Sequence, residues 1–201
     1  MERVETSTGW VELVSSMGDE SSVCRIARVC TGRDEKEASS VNDAALVRSL
    51  LAREHGTPFE FIQLIFKICC PNPIAVQWMR HRTGSFQQKS GRYTDPIEDK
   101  CTPNWRCNDT VREDAAQIWA DSYARAMRSY RKLRALGVPR EQARFVMPQG
   151  MITRFFWRVD MRNFLGFLKL RADKHAQEEM QEFANACKSL ARERFPNIIG
   201  P

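Results

Sequence analysis

The sequence predicts an α+β fold, a single domain in which a small mixed or antiparallel sheet is flanked by long helices. Segments with helical spacing of apolar residues are interspersed with a few strand-like segments that are not adjacent along the chain. The chain has 201 residues, 42% of them apolar, which suits one hydrophobic core. No internal repeat, low-complexity tract or linker divides it. We therefore expect residues 1–201 to form one domain.

The first third of the chain is predicted to form two strands separated by two helices. Gly9–Met17 has the pattern of a strand, and Ser22–Val29 has that of a helix. Asn42 precedes apolar residues at helical spacing, which predicts an N-capped helix over residues 42–54. Phe59–Cys70 is rich in β-branched and aromatic residues that alternate with polar ones, which predicts a strand.

A short helix and a loop follow this strand. Asn72 and Pro73 are typical of a helix cap and a first-turn proline, and the pattern continues to Arg80. Thr83–Gly91 is polar and contains glycine, which predicts an irregular loop. The end of the helix would therefore present three polar side chains next to this loop: Gln77, Arg80 and His81.

The second half of the chain is predicted to be mainly helical. A long helix begins at Asp109 and stops at Gly137, and a second covers Pro139–Pro148. Thr153–Val159 alternates in the manner of a strand, with Phe155 and Trp157 on the face opposite Arg154 and Arg158. Two final helices are predicted over Met161–Leu170 and Lys174–Arg194.

Composition and motifs exclude several classes of protein. The seven cysteines have no paired C-x-x-C spacing, which indicates reduced thiols rather than a zinc site. No P-loop, G-x-S-x-G motif or cluster with metal-ligand spacing occurs. The N-terminus lacks the layout of a secretory signal, and no apolar run approaches the roughly 20 residues that span a bilayer. We expect a cytoplasmic protein without a membrane segment or a bound metal.

The charge distribution indicates an anionic ligand. The net charge is +6, so nucleic acid, a membrane surface and a phosphorylated metabolite are all compatible partners. No block of five like charges occurs, which disfavours a nucleic-acid-binding tail. Arg80, Arg82 and Arg92 lie within thirteen residues, and such a cluster is costly unless an anion occupies it. The alternative is a solvated basic loop. Arg144 and Arg171 are flanked by apolar residues and are further candidates for the same site.

The arginine cluster also carries a resemblance to a known family. Arg80-His81-Arg82, seven residues and then Ser90 resembles the R-H-R-x7-S signature of the flavin-dependent thymidylate synthases, and Gly91-Arg92-Tyr93 continues it. The similarity covers roughly residues 9–195. Further segments resemble the family in the family's order: Gly9 to Glu12, Arg25 to Val29, Thr57 to Glu60, Gln77-Trp78, Ala143-Arg144, Thr153 to Trp157, and Phe167 to Gln177.

The resemblance implies an enzyme that methylates C5 of a uridine monophosphate nucleotide. It implies FAD as cofactor, NADPH as reductant and methylenetetrahydrofolate as carbon donor. It also implies a homotetramer whose active sites lie at subunit interfaces. Members of the family are thought to need no enzyme nucleophile at C6, so the cysteines need not be catalytic and Ser90 is a ligand rather than an attacking group.

The resemblance also assigns roles to individual residues. Arg92 and Arg144 would face the phosphate, Arg171 the pyrimidine, and His55 would lie where the folate or nicotinamide stacks. Arg171, His55 and Ser90 would thus be closest to the chemistry. The nucleotide ligands implied are Gln77, Arg80, Gln88, Ser90, Arg92, Arg144 and Arg171. The flavin ligands implied are Thr57, Glu60, Arg80, His81, Arg82, Arg162 and His175.

Several positions depart from the family pattern, notably Gln88, Lys89, Asp160 and Gly166. Asp160 stands where an Asn is usual, and because both residues cap helices well the exchange is interpreted as structural. Gln88 stands where Glu is common, and an amide offers two donors that a carboxylate lacks. We hypothesise that Gln88 satisfies an additional ribose hydroxyl, so that UMP is accepted beside or instead of dUMP.

Two other functions stay open on the sequence. One is a nucleotide-binding relative that has lost methyl transfer, because residues on the flavin side are altered. The other is a basic nucleic-acid-binding module, which would expose aromatics between arginines on a sheet face. The alternation of 154–158 favours core packing of Phe155 and Trp157 instead, so we expect no nucleic-acid partner.

Overall fold

A computed structural model describes residues 2–32, 40–97 and 101–200 of the chain. Its centre is one antiparallel sheet of five strands in the order β1-β2-β3-β5-β4. The predicted α+β class is confirmed. The strands are β1 Arg3–Thr6, β2 Gly9–Met17, β3 Gln63–Pro71, β4 Ser85–Gln88 and β5 Ile152–Asp160.

The described helices include one long helix, as predicted. The α-helices of the described ranges are α1 Glu20–Val29, α2 Ser40–Ala52, α3 Asn72–Trp78, α4 Asp109–Ala135, α5 Arg140–Ala143, α6 Met161–Arg171, α7 Glu178–Arg194 and α8 Pro196–Ile199. Short 3-10 segments occur at Thr57–Phe61 and Arg144–Val146. None of the described helices is long and apolar enough to cross a membrane.

The core lies between one face of the sheet and helices α6 and α7, and buried residues of α1, α2, α3 and α8 join it. Phe155 and Trp157 of β5 are almost fully buried there, whereas Arg154 and Arg158 are exposed on the opposite face, which confirms the predicted alternation. Trp78, the last residue of α3, lies with its ring centroid 5.3 Å from Trp157. This aromatic packing fixes the end of α3, from which the R-H-R sequence continues.

Two sequence predictions are wrong around the signature loop. The strand expected over Phe59–Cys70 begins only at Gln63, because Thr57–Phe61 forms a 3-10 turn with Pro58 in its first turn. The loop expected over Thr83–Gly91 contains β4. Its polar residues suit an edge strand, since one side of such a strand faces solvent.

Other element boundaries differ for local reasons. The helix expected over Pro139–Pro148 is reduced to α5 and a 3-10 turn, because the residue before Pro148 is extended, as proline requires. The helix expected from Lys174 begins at Glu178, because the Asp173 carboxylate accepts the backbone N–H of His175 at 2.8 Å and forms a turn. The helix expected over 72–80 ends at Trp78. Asn72, which was predicted to cap it, is instead its first helical residue. Neither β1 nor α8 was predicted.

Candidate active site

The first group of predicted site residues meets at the end of α3. Arg171, the last residue of α6, donates from Nε to His81 Nε2 at 2.9 Å and from Nη2 to the Gln77 carbonyl at 3.1 Å. The Gln77 amide in turn donates to Gln177 Oε1 at 2.5 Å. Gln77, His81 and Arg171 are half-buried, so the structure brings these three predicted residues together at a partly shielded surface.

The His81 imidazole is held in its neutral form. Burial, and then the positive charge of Arg171, lower the pKa of His81 below its ordinary value of 6.5. The neutral ring can therefore accept the Arg171 N–H at physiological pH. Protonation would remove this acceptor and set two cations against each other.

This arrangement predicts that the folded protein becomes less stable at acidic pH. Because the folded-state pKa of His81 is depressed, its contribution is complete above pH 6.5 and is lost as the pH falls through the lower folded-state value. We expect the free energy of unfolding to decrease below pH 6.5, and His81→Asn, which keeps an acceptor but does not titrate, to flatten this decrease. Urea unfolding at several pH values measures it. Parallel pH profiles for the two proteins would contradict the assignment to His81.

A second group lines a cavity of about 430 Å³ between β4, β5 and the start of α3. Gln88, Ser90 and Arg144, all predicted nucleotide ligands, contribute to its wall, and so does Lys89. Arg144 and Lys89 are its cations, and no carboxylate occurs among the described residues that line it. The cavity is therefore suited to an anion that also carries hydroxyl groups.

The loop that carries Ser90 is tied to the segment that carries Arg144. The Asp95 carboxylate accepts two bonds from Arg140, from Nε at 3.0 Å and from Nη2 at 3.1 Å, and a third from the Tyr130 hydroxyl at 2.7 Å. Arg140 and then Tyr130 hold the pKa of Asp95 below its usual value. Arg140 begins α5, whose C-terminal neighbour is Arg144, so this network fixes the two walls of the cavity relative to each other.

Arg92 lies beside the same loop but has a protein partner. Its Nε donates to Glu141 Oε2 at 3.1 Å, and both side chains are about half exposed. Its backbone N–H donates to the Ser90 hydroxyl at 3.2 Å. Glu141 therefore neutralises Arg92 in this structure. A phosphate group that bound Arg92 would have to share the guanidinium with the Glu141 carboxylate.

The third group surrounds a cavity of about 330 Å³ between α2, the 3-10 turn and α6. His55, Arg162 and Gly166 line it together with apolar residues of α2 and α6. Arg162 is paired with Glu60, and a Cβ at Gly56 would lie 2.6 Å from Arg162 Nε, so the backbone passes closely over the guanidinium. Thr57 begins the adjoining 3-10 turn. Four predicted site residues are thus assembled here.

Three predicted flavin ligands lie at the surface. Arg80 and Arg82 are exposed in the turn after α3. His175 is also exposed, and its Nδ1 lies 2.8 Å from Asp173 Oδ1 in the turn between α6 and α7. The backbone N–H and side chain of His175 lower the pKa of Asp173. In this chain alone, His175 is thus engaged with its own turn.

The predicted nucleotide ligands are divided between two places on one chain. Asn72 lines the 430 Å³ cavity, whereas Gln77 contacts Arg171, and the two are five residues apart on α3. That spacing corresponds to about 7.5 Å along a helix axis. Gln77, Arg80 and Arg171 do not line the cavity that contains Gln88, Ser90 and Arg144, as far as the described residues go.

Some residues of the site were missed in the sequence. Gln177, Asp95 and Thr153 were assigned no role, although each bonds a predicted site residue or its loop. Thr153 could have been noticed, because it is a polar residue on the otherwise apolar face of β5. By contrast, Asp160 has the predicted structural role: its carboxylate caps α6 by accepting the Asn163 N–H at 2.9 Å.

Among the described residues, no group of acidic, histidine or cysteine side chains is arranged to hold a metal ion. All seven cysteines are described, and none forms a disulfide. The site consists of arginine, histidine, amide and hydroxyl groups around two cavities. Together with the five-stranded antiparallel sheet, this defines an α+β protein built to bind anionic ligands.

Comparison with known proteins identifies the family. The model described as "Thymidylate synthase complementing protein" matches residues 12–197. The chain is 38% identical over 194 residues to the flavin-dependent thymidylate synthase of Pseudothermotoga lettingae, covering 94% of this chain and 87% of that protein. It is 39% identical over 195 residues to that of Thermotoga neapolitana, covering 94% and 88%. The chain belongs to the flavin-dependent thymidylate synthase family.

A solved structure has the same fold. It is a UMP/dUMP methylase, PolB from Streptomyces cacaoi, bound with 5-Br dUMP. The two folds agree with a TM-score of 0.85 at 25% sequence identity, over 94% of this chain and 92% of the other.

Proposed function

We propose that this protein methylates C5 of a uridine monophosphate nucleotide, converting dUMP to dTMP, UMP to 5-methyl-UMP, or both. The observation that carries the proposal is the 430 Å³ cavity, which combines Arg144 and Lys89 with the neutral groups of Gln88 and Ser90. A nucleotide monophosphate presents a phosphate dianion and sugar hydroxyls, which match these two kinds of group. The names of the relatives, and the nucleotide bound to PolB, support the same reaction.

The residues around the second cavity fit part of FAD. Leu50, Phe59 and Leu165 offer an apolar wall. Lys169 and Arg162 are its cations, although Arg162 is paired with Glu60 and the Glu54 carboxylate lines the same cavity. At about 330 Å³ the cavity is near the lower end of the roughly 300–1,000 Å³ usual for small-molecule sites. When bound, FAD would supply the redox chemistry, and the protein would bind and orient the reactants. The proposed flavin ligands are Thr57, Glu60, Arg80, His81, Arg82, Arg162 and His175.

A homotetramer with active sites at subunit interfaces forms part of the proposal. Two observations support it: the nucleotide ligands of one chain are divided between two places, and Arg82, Arg92 and His175 are exposed. Phe145, next to Arg144, is 83% exposed, which is unusual for so large an apolar side chain. A second copy could cover this surface and supply the ligands that one chain lacks.

NADPH and methylenetetrahydrofolate are the proposed co-substrates, the first as reductant and the second as carbon donor. His55 is exposed at the edge of the 330 Å³ cavity, where a planar ring could stack on it. Arg144 and Arg92 would bind the phosphate of the nucleotide, and Arg171 would bind its pyrimidine. An arginine at the uracil carbonyl edge would stabilise negative charge that develops during the reaction.

Two measurements on the purified protein test the proposal. Absorbance in the flavin bands is expected after incubation with FAD and removal of unbound FAD, and turnover with NADPH and methylenetetrahydrofolate is expected for at least one of UMP and dUMP. A protein that binds nucleotide but neither binds flavin nor turns over would be an inactive relative, contrary to the proposal. Parallel assays at saturating UMP and dUMP decide between the two sugars.

A further inference from the structure

A series of hydrogen bonds leads from the Gln77 side chain to a buried carboxylate. Gln77 Nε2 donates to Gln177 Oε1 at 2.5 Å, and Gln177 Nε2 donates to Glu179 Oε2 at 2.8 Å. The same Glu179 oxygen lies 3.6 Å from Arg106 Nη2. Glu179 is only 7% exposed, whereas Gln77 is half-buried at the surface of the site. We call Gln77, Gln177 and Glu179 the amide relay.

The carboxylate determines the direction of the hydrogen bonds in the amide relay. Each glutamine carries both donors and an acceptor, so two glutamines on their own can bond in either direction. A carboxylate accepts hydrogen bonds and donates none. Gln177 must therefore turn its nitrogen to Glu179 and its oxygen to Gln77. Gln77 must then turn its nitrogen to Gln177, so the positions of its nitrogen and its oxygen are both fixed.

Elements of the fold hold both ends of the amide relay. Gln77 lies near the end of α3, where its backbone carbonyl accepts an N–H of Arg171 at 3.1 Å. Glu179 lies in the first turn of α7, and Gln177 directly precedes this helix. The Gln177 side chain makes no capping hydrogen bond to α7 and is instead bonded to Gln77 and Glu179. The start of α7 thus supports a side chain of the candidate site.

We infer that Glu179 is a positioning residue: acting through Gln177, it holds the Gln77 amide in the orientation in which Gln77 binds the nucleotide. The inference rests on the proposed function only in taking Gln77 as a nucleotide ligand. It adds to the site a buried carboxylate that acts on the nucleotide through two intervening amides.

A double-mutant cycle tests the inference, with dissociation constants of dUMP and UMP measured by titration calorimetry on the full chain loaded with FAD. Glu179→Gln keeps the shape of the side chain but adds a donor. We expect it to weaken binding of the preferred nucleotide about fivefold, the effect of one neutral hydrogen bond. In a Gln77→Ala background the same substitution is expected to change the dissociation constant by less than about twofold, because no amide is left to orient.

Two further variants separate positioning from a role in folding. Gln177→Ala breaks the amide relay but leaves the buried carboxylate in place, and we expect the same loss of about fivefold. Combined with Glu179→Gln, it should cause no further loss. Glu178→Gln is the matched control, because Glu178 lies in the same first turn of α7 but is exposed. This control removes an equal charge from the helix N-terminus, and we expect wild-type nucleotide binding.

The outcomes separate this inference from the proposed function. Losses that add in the Glu179→Gln, Gln77→Ala double variant would overturn the inference, and so would an equal loss in Glu178→Gln. If Glu179→Gln does not fold, the cycle of Gln177→Ala with Gln77→Ala decides by the same criterion. A wild type that binds neither nucleotide would contradict both the proposed function and the inference. Coupled losses without any methylated product would support the inference and contradict only the proposed reaction.

Discussion

Replacement of Arg171 by methionine is expected to lower kcat/KM for the preferred nucleotide by about 100- to 1,000-fold, the usual effect of removing one donor that stabilises a developing negative charge. Arg171 bonds His81 and the Gln77 carbonyl at the end of α3, so its guanidinium is held in a defined orientation. Methionine keeps much of the apolar stem but removes the charge and the donors. Steady-state kinetics with each nucleotide measure the effect.

Arg192→Met is the matched control for this substitution. Arg192 also lies in the last turn of a helix, α7, but it is exposed and has no assigned role. We expect near wild-type kinetics and an unchanged melting temperature in this control. If Arg171→Met kept kcat/KM within about threefold of the wild type, where a lost transition-state contact costs far more, Arg171 would not face the reacting pyrimidine.

The second large effect is expected at Gly84, in the turn between the R-H-R sequence and β4. A Cβ at this position would lie 2.2 Å from Trp157 Nε1 and 3.0 Å from the Arg158 carbonyl oxygen. Trp157 is fully buried and packed among other rings, so it cannot move aside cheaply. We expect Gly84→Ala to reduce the free energy of unfolding by about 2–3 kcal/mol. Thermal melts should then show a decrease of roughly 5–10 °C.

Gly166→Ala is the same substitution as Gly84→Ala, but we expect it to stabilise the protein. Gly166 is inside α6 and exposed, and a Cβ there would meet nothing within 4 Å. Alanine should therefore stabilise the helix by about 1 kcal/mol. If Gly84→Ala melted at the same temperature as the wild type, this result would contradict the close approach of Gly84 to Trp157.

Continuous patterns in the sequence predicted a long helix and a central strand of the fold. The helix that begins at Asp109 and the alternation of Thr153–Val159 were both confirmed, because each repeats its period over many residues. Element ends were less predictable. They depend on single local interactions. One is the hydrogen bond from the His175 N–H to Asp173, which forms a turn before α7, and another is Pro58 in the 3-10 turn before β3.

Non-local pairing explains the main errors. Ser85–Gln88 is polar and short, and it becomes a strand only because β5, more than sixty residues later, offers it a partner. The contacts of the site have the same origin: His81 and Arg171 are 90 residues apart, and Gln88 and Thr153 are 65 apart. Spacing along the chain could not predict these contacts. The family resemblance gave a role to most of the residues, but none to Thr153, Asp95 or Gln177.

The most direct test of the proposed reaction is the mass and structure of the product. The protein would be incubated with FAD, NADPH, each nucleotide in turn and methylenetetrahydrofolate labelled with carbon-13 in its methylene group. We predict a nucleotide in which one labelled methyl group replaces the hydrogen at C5, as located by NMR, from UMP, dUMP or both. Unchanged nucleotide in every reaction, from a protein that binds both FAD and nucleotide, would contradict the proposed methylation.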